Sequence, residues 1–182
     1  MTWNTILRKH PKHVALIGMI AIETGNLEIA LATLFARMLS VPMRTGRAVY
    51  LTPKAAHARL DILRNAAKAA FDRKVKSKEL NDHYKEALAK VTDIISRAGK
   101  ANDKRNRIVH DSWGYNDDDN EVSRLMIDGN PDGQSVSVPL SELENDLKSL
   151  RIVIQDAASL ARHFHKNPPL IADLRNSATN SG

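Results

Sequence analysis

The chain contains no cysteine. Disulfides, cysteine nucleophiles and thiolate metal sites are therefore excluded, and a reducing compartment suits the composition. It also lacks a long apolar run. The longest, VALIGMIAI from Val14 to Ile22, has nine residues, well short of the ~20 that carry a helix across a bilayer. Arg8, Lys9 and Lys12 precede this run, but no small-residue cleavage site follows it and Glu23 leads into more helical pattern. Neither a signal peptide nor a membrane anchor is expected, and the expected location is the cytoplasm. No glycine-rich phosphate loop occurs, no G-x-G-x-x-G, and no serine in a G-x-S-x-G turn, so nothing marks a P-loop, a dinucleotide fold or a hydrolase elbow. Seven histidines are present, yet none forms Glu-x-x-His or His-Glu-x-x-His, the helical spacings that hold iron or zinc. His163 and His165 fall on different faces of a helix. No metal and no cofactor is expected.

What is present is charge and helical periodicity. At 182 residues, 42% hydrophobic and 26% charged, one soluble domain is the natural reading. The net charge of +6 is unevenly spread. Residues 1–110 hold 21 Lys+Arg and 9 Asp+Glu, a balance of +12; residues 111–182 hold 6 and 12, a balance of −6. A basic body with an acidic appendage suits a nucleic-acid partner, or two halves that pair with each other.

The pattern predicts four helices and a hairpin. The first runs from about Pro11 to Ser40, with Val14, Ile17, Leu27, Leu31, Leu34 and Met38 at helical spacing, Gly25-Asn26 as the place for a kink, and a stop at Val41-Pro42. Leu16, Ile20 and Ile29 make it apolar on further faces, as in a central helix or one covered by a second subunit. Glu23 and Glu28 on this helix point to solvent or pair across the bundle; solvent is the expected direction. A second helix starts with Thr52 as N-cap and Pro53 at its first position. The charged connector DRKVKSK leads to a third helix from about Ser77, which is expected to pause at Gly99 and resume with Asn102 or Asp103 as a new cap. It carries Arg105 to His110 and stops by Gly114. After the acidic turn YNDDDN, EVSRLMI and QSVSVPL alternate around GNPDG as a two-stranded hairpin. Ser141 and Glu144 form a capping box for a last helix to Lys166. The expected fold is thus an all-α bundle of four to five helices over residues 1–166, with a small β-hairpin inserted at about 120–139 before the last helix, and a polar, flexible tail at 167–182.

One stretch can support phosphate chemistry: KRNRIVHDSWG, Lys104 to Gly114. On a helix, five positions separate Arg105 from His110 by roughly 140° and a rise of about 7.5 Å. Ile108 and Val109 between them are expected to face the core, with Arg105 and His110 flanking that edge. An imidazole, ordinarily titrating near pH ~6.5, can accept a 2′-hydroxyl proton or donate to a leaving 5′-oxygen. A guanidinium fork matches phosphate oxygens. Two such pairs brought together by a two-fold axis would surround one phosphate, with the first helix as the dimer interface. Against this stands a plain reading, in which Arg105 bonds the acidic turn Asp117 to Asp119.

R-N-x-x-x-H at the edge of a late helix, in a small all-α domain, resembles the HEPN superfamily (higher eukaryotes and prokaryotes nucleotide-binding). VHDSWG is also similar to HEPN-like proteins in which the histidine precedes a Trp-Gly turn. The resemblance implies a helical bundle, commonly dimeric, and a metal-independent ribonuclease of the kind found in toxin–antitoxin, CRISPR and phage-defence systems. Arg105 and His110 would be its catalytic pair with Asn106 in support, and Lys100, Lys104 and Arg107 would guide RNA. RNA, a second copy and an antitoxin or regulator are the implied partners. Some HEPN toxins carry a modified tyrosine two residues after the histidine; Ser112 stands there, so that mode of control is not expected. A non-catalytic HEPN-like module that binds nucleotide, nucleic acid or a protein is the alternative.

Overall fold

The structure is a computed structural model and describes residues 9–71, 78–116, 121–125 and 135–169. In chain order the elements are α1 (Pro11–Met38), α2 (Met43–Leu51), α3 (Ala56–Phe71), α4 (Lys78–His110), β1 (Ser112–Asn116), β2 (Glu121–Leu125), β3 (Ser135–Ser137) and α5 (Leu140–Lys166). The helical character agrees with the periodicity. The connector at 72–77 with its Ser77 cap, the acidic turn at 117–120, the loop between β2 and β3 and residues 170–182 of the tail lie outside the described residues.

The chain gathers into two compact units, one of residues up to Gly25 with Lys100–Ile152, the other of Asn26–Gly99 with Val153 onward. The boundaries fall inside α1, α4 and α5. In the first unit, Leu16 and Ile20 of α1, Ile108 of α4, Trp113, Val122 and Val138 of the sheet region, and Leu143, Leu147 and Leu150 of α5 are buried. In the second, Leu27, Leu31, Leu34 and Met38 of α1 are fully buried, with Leu63 of α3 and Val91 of α4. Phe71 there stacks obliquely on Tyr84 and Phe164, with ring centroids 6.0 and 5.3 Å away, a favourable aromatic spacing.

α1 runs unbroken through Gly25 and Asn26. At 28 residues it is, by length and composition, long and apolar enough to cross a membrane, because helix continues on both sides of the nine-residue run. It ends in a Schellman motif: Ser40 N–H donates to the Arg37 carbonyl, Val41 N–H to that of Ala36, and Ser40 holds φ 52°. Glycine takes this left-handed position without a Cβ penalty. Ser40→Gly is expected to raise stability by about 1 kcal/mol, read as a higher denaturant midpoint at unchanged slope; a lower midpoint would count against the assigned cap.

Five local expectations are corrected. MRTGRAVYL forms α2, so Thr52 caps a helix end instead of starting one, and α3 begins at Ala56. α4 does not pause at Gly99; it is one 33-residue helix. Gly99 sits where an added Cβ would meet Leu60 at 3.7 Å, so it is part of a packed face, and its weak helix propensity, ~1 kcal/mol against alanine, is outweighed. Asn102 is a buried mid-helix residue, not a cap. α5 begins at Leu140, ahead of the proposed Ser141 cap, with Glu142 N–H donating to the Pro139 carbonyl. Finally, the two-stranded hairpin is a three-stranded antiparallel sheet ordered β1-β2-β3, starting at Ser112, not near 120. Trp113 pairs with Arg124 and Gly114 with Ser123 across β1–β2, and Arg124 with Val136 across β2–β3.

Candidate functional site

The motif residues all lie in the first unit, on the last three turns of α4. The inward face of this segment is set by Ala98, Asn102 and Ile108, all buried. Arg105, three residues from both Asn102 and Ile108, falls on the same face and is half-buried. Its Nε is fully buried with no partner among the described residues. Its Nη1 donates to Asn106 Oδ1 at 3.1 Å, so the neighbouring amide holds one arm of the fork. Among the described residues Arg105 makes no ion pair. Arg59, Arg64, Arg97, Arg124 and Arg151 all do.

His110 is exposed, and its ring has no hydrogen-bond partner among the described residues. Val109 is exposed too, at 37%, which corrects the expectation that it turns inward with Ile108. The helical step accounts for His110 alone: with the inner face centred between Asn102, Arg105 and Ile108, position 110 lies about 140° away from Arg105. Arg105 therefore flanks the buried edge as expected, while His110 projects from it into solvent. The structure joins Arg105 to Asn106 and leaves His110 apart from both.

Of the proposed RNA-guiding residues, Lys100 and Arg107 are exposed, and with Lys104 they share one helix face by their spacing of four and three. Lys104 is engaged with Asp146 of α5. The acidic turn that would bond Arg105 in the plain reading, Asp117 to Asp119, lies outside the described residues.

Three residues that sequence reasoning missed shape the site. Asn102 places a buried Nδ2 with no partner among the described residues on the Arg105 face, one turn back. Arg124 of β2 holds Asp111, its Nε 3.2 Å from Oδ2, which offsets a carboxylate that would otherwise repel phosphate beside His110. Trp113 donates its indole N–H to the Ile108 carbonyl at 2.8 Å. That carbonyl is one of the last four of α4, which have no partner inside the helix, so the indole closes the helix end that carries His110. Trp113→Phe is expected to cost about 2 kcal/mol, since a buried carbonyl loses its donor, measured by urea unfolding; a cost near zero would mean the bond contributes nothing. The only sequence signal for these roles was the Trp-Gly pair, read as a turn.

Elsewhere in this unit, His13 of α1 bonds the Val138 carbonyl at 3.2 Å. Burial is the largest influence on its imidazole and holds its pKa below the ordinary value. Glu23 pairs with Arg151 at 2.9 Å. In the second unit, Arg59 grips Glu28 through Nε and Nη2 at 3.0 and 3.1 Å. Both glutamates thus pair across helices, which corrects the solvent reading; a carboxylate on a mostly apolar helix is stabilised by a partner.

The second unit also holds a groove of about 560 Å³ between α4 and α5, with the rings of His83 and His163 6.1 Å apart. Its charges satisfy each other: Arg97 bridges Asp93 and Asp156, each at 2.7 Å, and Lys90 pairs with Glu86 at 2.6 Å. No group of three or more histidine or carboxylate side chains among the described residues is placed to hold a metal ion. No family model, curated protein or solved structure matches the chain.

Proposed function

We propose that the protein is a metal-independent endoribonuclease of the HEPN type, working in the cytoplasm as a homodimer, with the role of a toxin or phage-defence effector. The observation that carries this reading is the state of Arg105: half-buried, steered by Asn106, and without a carboxylate partner among the described residues. A guanidinium fixed in that way offers its remaining donors to an acceptor from outside, and phosphate oxygens match its geometry.

In the proposed reaction the 2′-hydroxyl attacks the adjacent phosphorus and the P–O5′ bond breaks. A 2′,3′-cyclic phosphate and a free 5′-hydroxyl result. His110 takes the 2′-hydroxyl proton or gives one to the departing 5′-oxygen. Arg105 stabilises the extra charge of the phosphorane. Because Arg105 and His110 point roughly 140° apart on one helix, a composite site is favoured, with the second copy supplying the complementary histidine. An antitoxin or other regulator would then act by covering this edge.

The test is incubation of purified protein with total RNA in excess EDTA, followed by end-group analysis; cyclic phosphate and 5′-hydroxyl ends are the expected products. The second reading is a HEPN-like module that binds nucleotide, nucleic acid or a protein without turnover. It is favoured by one specific observation, that nothing among the described residues orients the His110 ring. RNA bound but uncut in the same assay would support it.

A further inference from the structure

In the second unit Arg59, Arg64 and Arg97 sit beside carboxylates, but one group of arginines does not. A groove of about 350 Å³ runs between α1 and α5, walled by Arg37 and Thr33 on one side and by Arg162 and His165 on the other. Arg47 of α2 reaches its rim, donating from Nη2 to Thr33 Oγ1 at 3.2 Å. No acidic side chain lines this groove, and among the described residues Arg37, Arg47 and Arg162 make no ion pair. The groove's aliphatic lining comes from Ile29, Ala30, Ala158 and Ala161.

We infer that this groove is a phosphate-binding track for single-stranded RNA, separate from the Arg105–His110 motif. Three guanidinium groups and an imidazole around one cleft leave an electrostatic gap that a polyanion fills. Arginine forks favour phosphate oxygens over a generic negative surface. The cleft, about 350 Å³, lies at the small end of ligand-pocket volumes. Its aliphatic lining gives a sugar or a base face something to cover without reading sequence. The choice of RNA over an acidic protein rests on the ribonuclease reading above; the phosphate chemistry of the groove does not.

The experiment is a fluorescence-anisotropy titration of a labelled 12-nucleotide RNA against full-length protein carrying His110→Ala, so that binding is read without cleavage. Adding Arg37→Gln and Arg162→Gln is expected to weaken binding roughly 25-fold at 0.1 M salt and to lower the slope of log K against log[salt] by about 1.4, the signature of two lost phosphate contacts on a single strand. Far-UV circular dichroism and the melting temperature should stay unchanged; if they fall, Arg47→Gln with His165→Gln provides the same reading from the other cationic member of each wall, with a smaller expected loss. Unchanged affinity and slope in both pairs would overturn the inference. So would AMP binding as tightly as the 12-mer, because the strand would then contribute nothing. Loss of binding in these variants upholds the groove even where wild-type protein cuts no RNA, and unaltered binding removes the groove even where it does.

Discussion

His110→Ala is expected to lower the rate of RNA cleavage by about 10²–10⁴-fold, the range that a positioned general acid or base supplies. The ring is exposed and makes no hydrogen bond among the described residues. Its removal therefore leaves no buried cavity and no orphaned partner, and the melting temperature should stay within a degree or two of the parent. That separation of activity from stability makes the variant informative. Arg105→Gln is the companion. It should slow cleavage to a similar extent through loss of charge stabilisation, but it also disturbs a half-buried side chain, so its melting temperature must be read beside its rate. Cleavage at the parental rate by a nuclease-free preparation of His110→Ala would exclude the imidazole as the proton carrier.

Gly46→Ala is expected to be the most destabilising of the conservative substitutions. A Cβ at Gly46 of α2 would lie 2.7 Å from the Ala36 Cα and 3.2 Å from Val41 Cγ2, with the Ala36 Cβ closer still. Ala36 is fully buried, and neither its backbone nor its Cβ can rotate out of the way. α1 and α2 would have to separate. Overpacking of this kind costs about 3 kcal/mol or more where no side chain can yield. Alanine returns about 1 kcal/mol of helix propensity, leaving a net loss of about 2 kcal/mol. For a chain of this size that corresponds to a melting temperature lower by roughly 4–8 °C. Gly18→Ala is the control, since an added Cβ there meets nothing within 4 Å; it should leave the melting temperature level or slightly raised. If both variants melt alike, the close approach of α1 and α2 is not what fixes Gly46.

The long helices were legible because their apolar residues repeat over many turns. Leu27, Leu31, Leu34 and Met38 mark α1, and Leu147, Leu150, Val153 and Ala157 mark α5; all are buried. α2 was not legible. Its nine residues bury only Gly46 and Tyr50, so its inward face is half glycine and gives no hydrophobic period. β1 was hidden by position, since a strand that begins two residues after a helix looks like the helix's own terminator. Gly99 and Asn102 misled in the same direction: both carry strong local preferences for helix ends, and packing overrides both.

The site was legible in part. Side-chain chemistry and the HEPN resemblance singled out Arg105, Asn106 and His110 as candidates; spacing fixed the angular separation of Arg105 and His110. It did not show that Arg105 lies inward, that Lys104 is held by Asp146, or that Arg124 offsets Asp111. Those pairings join residues up to 42 positions apart, beyond the reach of any local pattern. The cationic groove was invisible for the same reason: Arg37, Arg47, Arg162 and His165 come from three helices.

The indole of Trp113 has an optical consequence. The chain has two tryptophans, Trp3 and Trp113, and Trp113 is 8% exposed with its N–H bonded to the last turn of α4. Replacing Trp3 by phenylalanine would leave one fluorophore, seated three residues from His110. Its emission colour and lifetime would follow loosening of that helix end in real time, with no added dye. A bound strand or a capping regulator could then be watched arriving at the motif through the protein's own light.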